Sequence, residues 1–234
     1  LFDWMEDWVR APLLSVKTAF GSVRLWKITH REQFERAVQA LAYRCEPREI
    51  PRAVGAQYIG GLANWERIRK HKCSYLASGG TDWNAEFRRY TQNKENYTDS
   101  LILLSTGYYS GLSPEEVVLP PEIWKEASGE IRKYHELTHF IYRKCYPGDI
   151  QVIRDEVLAD CVGLCAAFDR YDASLARKLL GLDNGTLRPD ARLRHYVPED
   201  VLPQAMNEAA LWINGLEKLL SRVPDLSKRQ RESL

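Results

Sequence analysis

Two proline-marked breaks, Pro120-Pro121 and Pro147-Gly148, enclose a stretch that contains no proline. Proline fits the first turn of a helix but not its interior, and Pro-Gly ends one. The stretch therefore predicts one long helix, from about Glu122 to Cys145. A second long helix is expected from about Ile150 to Phe168, a shorter one over 173–180, and a last one over 203–220, with apolar positions at Met206, Ala209, Leu211, Ile213, Leu216 and Leu219. The preceding half reads differently. Residues 31–45 suit an amphipathic helix, 53–59 a strand closed by Gly60-Gly61, and 101–105 a second strand followed by a Gly-flanked turn through Tyr108 and Tyr109. Asn64 is placed to cap a short helix through Trp65, Ile68 and Lys72. Residues 1–30 show no clear period, 77–99 read as loops with room for a short helix, and 181–188 as a loop. The expected fold class is α+β, a small N-terminal sheet region followed by a helical half. One domain over 1–234 is expected, with sub-lobes 1–118 and 119–222 and a flexible tail at 223–234.

Composition narrows the function. The 234 residues are 44% hydrophobic and 28% charged, within the range of soluble globular chains. A formal net charge of +1 gives no basic excess for nucleic acid. The basic clusters at 67–72 and 228–231 read as a solvated helix face and a tail. Aromatic pairs such as Trp4/Trp8 read as packing. Five cysteines in irregular spacing do not form a secreted disulfide framework, and no CxxC pair offers a thiolate zinc site. Cys161 and Cys165, one helical turn apart in an apolar run, read as buried thiols. No apolar run is long enough for a membrane span, and the first residues do not resemble a signal peptide. The expectation is a cytoplasmic protein.

The chemistry sits in Tyr134-His135-Glu136-Leu137-Thr138-His139. On a helix, residues four apart lie about 40° apart around the axis and about 6 Å along it, so both imidazoles reach one ion. Glu136 faces a neighbouring direction, suited to a metal-bound water. Zinc needs a third protein ligand and one open position. The second long helix offers Arg154-Asp155-Glu156-Val157-Leu158-Ala159-Asp160. Glu156 is the expected ligand, and Asp160, one turn on, the carboxylate that orients a ligating histidine. Asp155 competes for the ligand role, but its face differs from that of Asp160 by about 140°.

This pairing of HExxH on one helix with ExxxD on the next resembles the gluzincin, thermolysin-like metallopeptidases. The resemblance covers about residues 120–170, and the interval between the motifs is shorter than in that group. It implies a minimal zincin-like domain, one Zn2+ held by His135, His139 and Glu156, Glu136 as general base, and Asp160 behind a histidine. The metzincin pattern fits poorly, because Tyr142 and Cys145 stand where it has glycine and histidine.

The expected function is hydrolysis of a peptide or other amide bond. Glu136 takes the proton of the attacking water and passes it to the leaving amine. The developing oxyanion needs a further donor, for which the candidates are His195, Tyr196 and Tyr109. Peptidases of this class bind extended substrates along an edge strand, and 101–105 is the candidate strand. His30 and His71 read as structural or solvent-exposed. Two other classes remain open. The same His/His/carboxylate set suits a non-haem iron oxygenase, and the fold could serve as a non-catalytic binding module.

Overall fold

The computed structural model describes residues 13–149, 151–183 and 185–222. The fold is α+β. A four-stranded sheet forms from β1 (Leu13–Thr18), β2 (Gly21–Lys27), β3 (Ala56–Ala63) and β4 (Thr98–Leu104), in the order β1-β2-β4-β3. β2 and β4 run parallel, and the outer pairs are antiparallel. Helices α1 (Arg31–Ala42), α2 (Trp65–Ala77) and α3 (Trp83–Thr91) belong to this half. The other half contains α4 (Pro114–Val117), α5 (Pro121–Cys145), α6 (Val152–Phe168), α7 (Ala173–Leu180) and α8 (Leu202–Leu220), with a small hairpin of β5 (Leu182–Asp183) and β6 (Thr186–Leu187). Among the described residues, no helix is long and apolar enough to cross a membrane.

Side chains alternate across a strand, so each strand of the sheet feeds two cores. Leu101 and Leu103 of β4 and Ile59 of β3 pack with Phe34 and Val38 of α1. Ile102 and Leu104, with Val23 and Leu25 of β2, pack with Leu137 and Phe140 of α5. The sheet is thus covered by α1 on one face and α5 on the other. The opposite side of α5 joins α6, α7 and α8 in a third cluster built on Trp124, Ile131, Leu164, Leu179 and Ile213. α5 starts with Pro121 in its first turn and carries Arg143 and Lys144 in its last, where cations favour the helix dipole.

Several boundaries depart from the sequence reading. The aperiodic first thirty residues contain the β1–β2 hairpin. Its two-residue turn is Ala19-Phe20, without the Asn-Gly signal that marks such turns, and the left-handed position falls on Gly21 at φ 112°. β3 begins at Ala56, not 53, and does not stop at Gly60-Gly61. A register irregularity between Ile59 and Leu62 absorbs the two glycines, and the strand resumes against β4. The 77–99 stretch holds α3, capped by Asp82. The 101–105 strand is interior, flanked by β2 and β3, so the edge strands among the described residues are β1 and β3. The expected start of the second long helix at Ile150, the Trp4/Trp8 pair, the 228–231 cluster and the 223–234 tail lie outside the described residues. Asn64 does cap α2, accepting from the Arg67 N–H at 2.9 Å. His71 packs flat on Tyr90 at 3.9 Å between ring centres and bonds Glu86, a structural placement.

Candidate metal centre

α5 and α6 are joined by a turn at Pro147-Gly148, with Gly148 at φ 89°. Asp149 and Arg154 close it as an ion pair, and the Tyr142 hydroxyl donates to Asp149 at 2.7 Å. So short a connection makes the two helices antiparallel neighbours. They approach closely at Gly163, where a Cβ would lie 2.8 Å from the carbonyl oxygen of Ile131. Running past α5 in reverse, α6 brings Asp155 beside His139, Asp160 beside His135, and Glu156 between them.

The donor atoms converge. His135 Nε2 lies 3.4 Å from Glu156 Oε2, His139 Nε2 3.5 Å from Glu156 Oε1, and the two Nε2 atoms 2.9 Å apart. Ligands at about 2.0–2.1 Å in a tetrahedron stand about 3.3 Å apart, so the three separations bracket the value a zinc ion requires. Each imidazole also has a carboxylate behind it. His135 Nδ1 is 2.9 Å from Asp160 Oδ1, and His139 Nδ1 is 3.0 Å from Asp155 Oδ2, with the N–H pointing off the line to that oxygen. With the Nδ1 atoms turned toward these carboxylates, both Nε2 atoms face one another and Glu156. Glu156 Oε2 is buried without a hydrogen-bond partner. Two imidazole nitrogens and a buried carboxylate converging at these separations are a zinc donor set, so the residues fit zinc. His135, His139 and Glu156 form a metal-competent group among the described residues. Asp155, the competitor for the ligand role, instead faces the outer nitrogen of His139.

Electrostatics follow from this crowding. Burial opposes charge on His135, but Asp160 and Glu156 outweigh it and raise the imidazole to about 10. Burial would raise Glu156, but the adjoining His135 and the neighbouring positive charge hold it well below the carboxylate range. Glu136, only 7% exposed, is raised by desolvation, with His139 and His135 pulling the other way.

Behind His135 lies a network that the motif did not reveal. The Tyr109 hydroxyl donates to Asp160 Oδ1 at 2.7 Å, accepts from Arg192 at 2.7 Å and lies 2.9 Å from His135 Nδ1. Arg192 is buried, pairs with Asp160 Oδ2 and donates to Ser110 Oγ at 3.1 Å. Ser110 adopts a left-handed φ of 53° to present that oxygen, a strained conformation for a non-glycine residue. The Tyr109 N–H donates to the buried Ser128 of α5 at 2.9 Å. Tyr109, a candidate oxyanion donor, is among the residues lining the cleft, and its hydroxyl is engaged at the outer nitrogen of His135 with Asp160 and Arg192. Arg192 carried no sequence signal beyond its place three residues before His195.

A cleft of about 220 Å³ opens over the donors. It is lined by Glu136, His139 and Glu156 from the two helices, by 53–58 at the sheet edge, by Arg143, and by His195 and Tyr196. The short helical turn Arg192–His195 ends on His195, Tyr196 follows it directly, and Arg192 ties that turn to α6. His195 is exposed and Tyr196 half-buried. Burial pushes the Tyr196 hydroxyl well above its ordinary value against the pull of Arg192, which keeps it a protonated donor at neutral pH. Cys145 is exposed and is not among the residues lining the cleft, while Cys161 and Cys165 are buried thiols.

The edge of β3 faces the same cleft. The Ser105 N–H donates to Gly55 O at 2.8 Å, and Gln57 is paired with Leu103. Hydrogen-bonded pairs alternate in an antiparallel ladder, so the backbone groups of Ala56 and Tyr58 point outward from the sheet. The Gln57 side chain caps one of them, donating to Tyr58 O at 3.1 Å.

Comparison with known proteins places the chain in one family. Residues 10–223 match the model described as "Family of unknown function (DUF7005)", and the chain belongs to that family. No curated protein and no solved structure matches it significantly.

Proposed function

We propose that this member of the DUF7005 family is a zinc-dependent hydrolase that cleaves peptide or amide bonds. One observation carries the reading. Two imidazoles and a carboxylate converge at zinc-ligand separations, each imidazole has a carboxylate at its outer nitrogen, and an acid with no place in the ligand set stands beside them. The HExxH and ExxxD pattern resembles that of the gluzincin metallopeptidases, which supports a peptidase over other hydrolases.

His135, His139 and Glu156 would hold the ion, which supplies Lewis acidity and lowers the pKa of a coordinated water when bound. Asp160, steadied by Tyr109 and Arg192, fixes the tautomer of His135, and Asp155 places a negative charge beside the outer nitrogen of His139. Glu136 takes the proton of the attacking water and delivers it to the leaving nitrogen; its buried setting raises its proton affinity toward that task. Tyr196 and His195 supply donors for the oxyanion from the cleft wall. The outward groups of Ala56 and Tyr58 offer an extended peptide a strand to pair with, once the Gln57 amide swings aside. Five free thiols fit a reducing, cytoplasmic setting.

The test is elemental analysis of the purified protein beside peptide-library cleavage. About one zinc per chain is expected in the wild type and in Glu136→Gln, and none in His139→Ala. Cleavage is expected in the wild type alone. Iron in place of zinc would turn the reading toward oxygen chemistry, and a fully active Glu136→Gln would remove the general base.

A further inference from the structure

The charges around the cleft do not balance, and the imbalance has one sign. Arg192 is neutralised by Asp160. Glu136 and Glu156 are the carboxylates lining the cleft; Glu156 belongs to the ligand set and Glu136 to the water. Two arginines are left over. Arg143 lines the cleft from the last turn of α5 and is exposed. Among the described residues it has no hydrogen bond or ion pair, and its guanidinium is held 4.9 Å above the Tyr58 ring. Its neighbour Lys144, also in the last turn, pairs with Glu95, so service to the helix dipole does not by itself leave a cation unpaired.

The second arginine, Arg132, is 2% exposed. It lies under the cleft wall, where the Cβ of any residue other than glycine at 55 would meet Arg132 Nε at 2.4 Å. Among the described residues its one hydrogen bond is long, to Ser128 O at 3.4 Å, and its Nε is buried without a partner. The Tyr109 ring stands 5.7 Å away, and no carboxylate pairs with it among the described residues. Desolvation lowers it to about 10, which leaves it cationic at neutral pH. A buried charge without a counter-ion is destabilising in the free protein, and an anion arriving in the adjoining cleft offsets that penalty.

We infer that the cleft selects a substrate with a carboxylate about one helical turn from the scissile carbonyl, received by Arg143 and favoured by the field of Arg132. This rests on the hydrolase reading and adds the class of substrate to it. Arg143 follows His139 by four residues, so its position is displaced from that ligand by about 6 Å along α5. In an extended peptide rising about 3.3 Å per residue, that reach corresponds to an acidic side chain one or two residues from the cut, or to a free C-terminal carboxylate. The planar guanidinium suits a bidentate carboxylate contact, and the Tyr58 ring beneath it restricts its rotamers before the ligand arrives.

The test uses the zinc-loaded full chain and two arms. In the first, calorimetry compares adipate with its monoamide, one carboxylate being available to the metal and the second, or its neutral replacement, to Arg143. About tenfold tighter binding of adipate is expected, the scale of a charge-assisted hydrogen bond. The preference should vanish in Arg143→Ala and Arg143→Gln, shrink at high salt, and leave zinc content unchanged. Both variants alter an exposed side chain with no hydrogen-bond or ion-pair partner, and circular dichroism checks that they fold as the wild type does. In the second arm, kcat/KM is measured for peptide pairs with Glu or Gln at each position around the cut. A Glu preference of the same size, confined to one or two adjacent positions and lost with Arg143, is expected. Equal binding of adipate and its monoamide, or a preference that survives in both variants, overturns the inference while zinc uptake and cleavage of neutral peptides uphold the hydrolase. Selective adipate binding without any cleavage upholds the carboxylate site and overturns the hydrolase. Failure to take up zinc removes both.

Discussion

Gly163→Ala tests whether the centre depends on how closely α5 and α6 approach. Two effects oppose one another. Alanine in a helix interior is favoured over glycine by about 1 kcal/mol. The new Cβ, however, would lie 2.8 Å from Ile131 O and 3.0 Å from Ile131 Cγ2, and the oxygen is backbone that cannot rotate away. Restoring ordinary contact separates the helices by about 0.5 Å, and overpacking of that kind costs about 1–3 kcal/mol. A net loss of about 1 kcal/mol is expected. Glu156 lies seven residues from Gly163, about 10 Å along α6. A splay of about 0.5 Å there is as large as the tolerance of a preorganised site, so zinc affinity should fall about tenfold. Gly129 in α5 is the control, because a Cβ there meets nothing within 4 Å. Gly129→Ala should gain about 1 kcal/mol and leave the metal alone. Urea unfolding of the metal-free proteins gives the stabilities, and competition with a chelator gives the affinities. If Gly163→Ala matches Gly129→Ala in both, the close approach of the helices does not set the ligand geometry.

Asp160→Asn leaves the buried Arg192 without its anion and loosens His135, so it should cost about 3–5 kcal/mol by urea unfolding and weaken zinc about 10–100-fold by chelator competition. Arg132→Met removes the uncompensated buried charge at similar volume, so the metal-free protein should melt at the same or a higher temperature, while adipate binding to the zinc form weakens. Glu86 is hydrogen-bonded by Arg89 and His71, which hold it at about 2 in the folded chain. A depressed carboxylate stabilises fully above its unfolded value of about 4.5 and loses that contribution as pH falls toward 2. Glu86→Gln should therefore flatten the acid dependence of the urea midpoint between pH 4.5 and 2, and an unchanged slope would show that the pair is not coupled to folding.

Local grammar made the helices legible. Pro120-Pro121 and Pro147-Gly148 bracket α5, an Asn caps α2, and the apolar period of α8 places Ala209 and Ile213 in the core, while Leu211 and Leu219 of the same helix face outward and are exposed. His135, Glu136 and His139 were legible for the same reason, since i, i+4 spacing is a property of one helix. Glu156 and Asp160 needed one further step, the inference that the next helix folds back. The rest depends on contacts that no local pattern encodes. The β1–β2 turn uses Ala19-Phe20, so nothing marked it. The two glycines of β3 read as a stop because the bulge that accommodates them exists only against β4. The edge position of β3 follows from β2 inserting parallel to β4, a pairing between segments more than seventy residues apart. Arg192 reaches Asp160 across 32 residues of sequence, and an arginine in a polar loop looks like any other until the chain returns.

The buried charge at the α5–α6 seam also bears on what the seam is for. Arg132, His135, Glu136, His139, Asp160 and Arg192 are all buried there, while the apolar clusters on the two sides of α5 supply the packing that holds the helices in place. Well-packed hydrophobic residues of similar volume are often as stable as a buried ion pair, or more so, so stability does not account for this set. Nor do its members pair off. Asp160 and Arg192 neutralise each other, but the two Nε2 atoms face one another, Glu156 leaves an oxygen without a partner, and Arg132 has no anion. The departures fall in two places, each of one sign. Metal-type donor atoms converge where His135, His139 and Glu156 meet, and positive charge collects between Gly55 and Arg143. A cation at the first and a carboxylate at the second would complete both, about one helical turn apart, as the proposed hydrolysis of an acidic peptide requires.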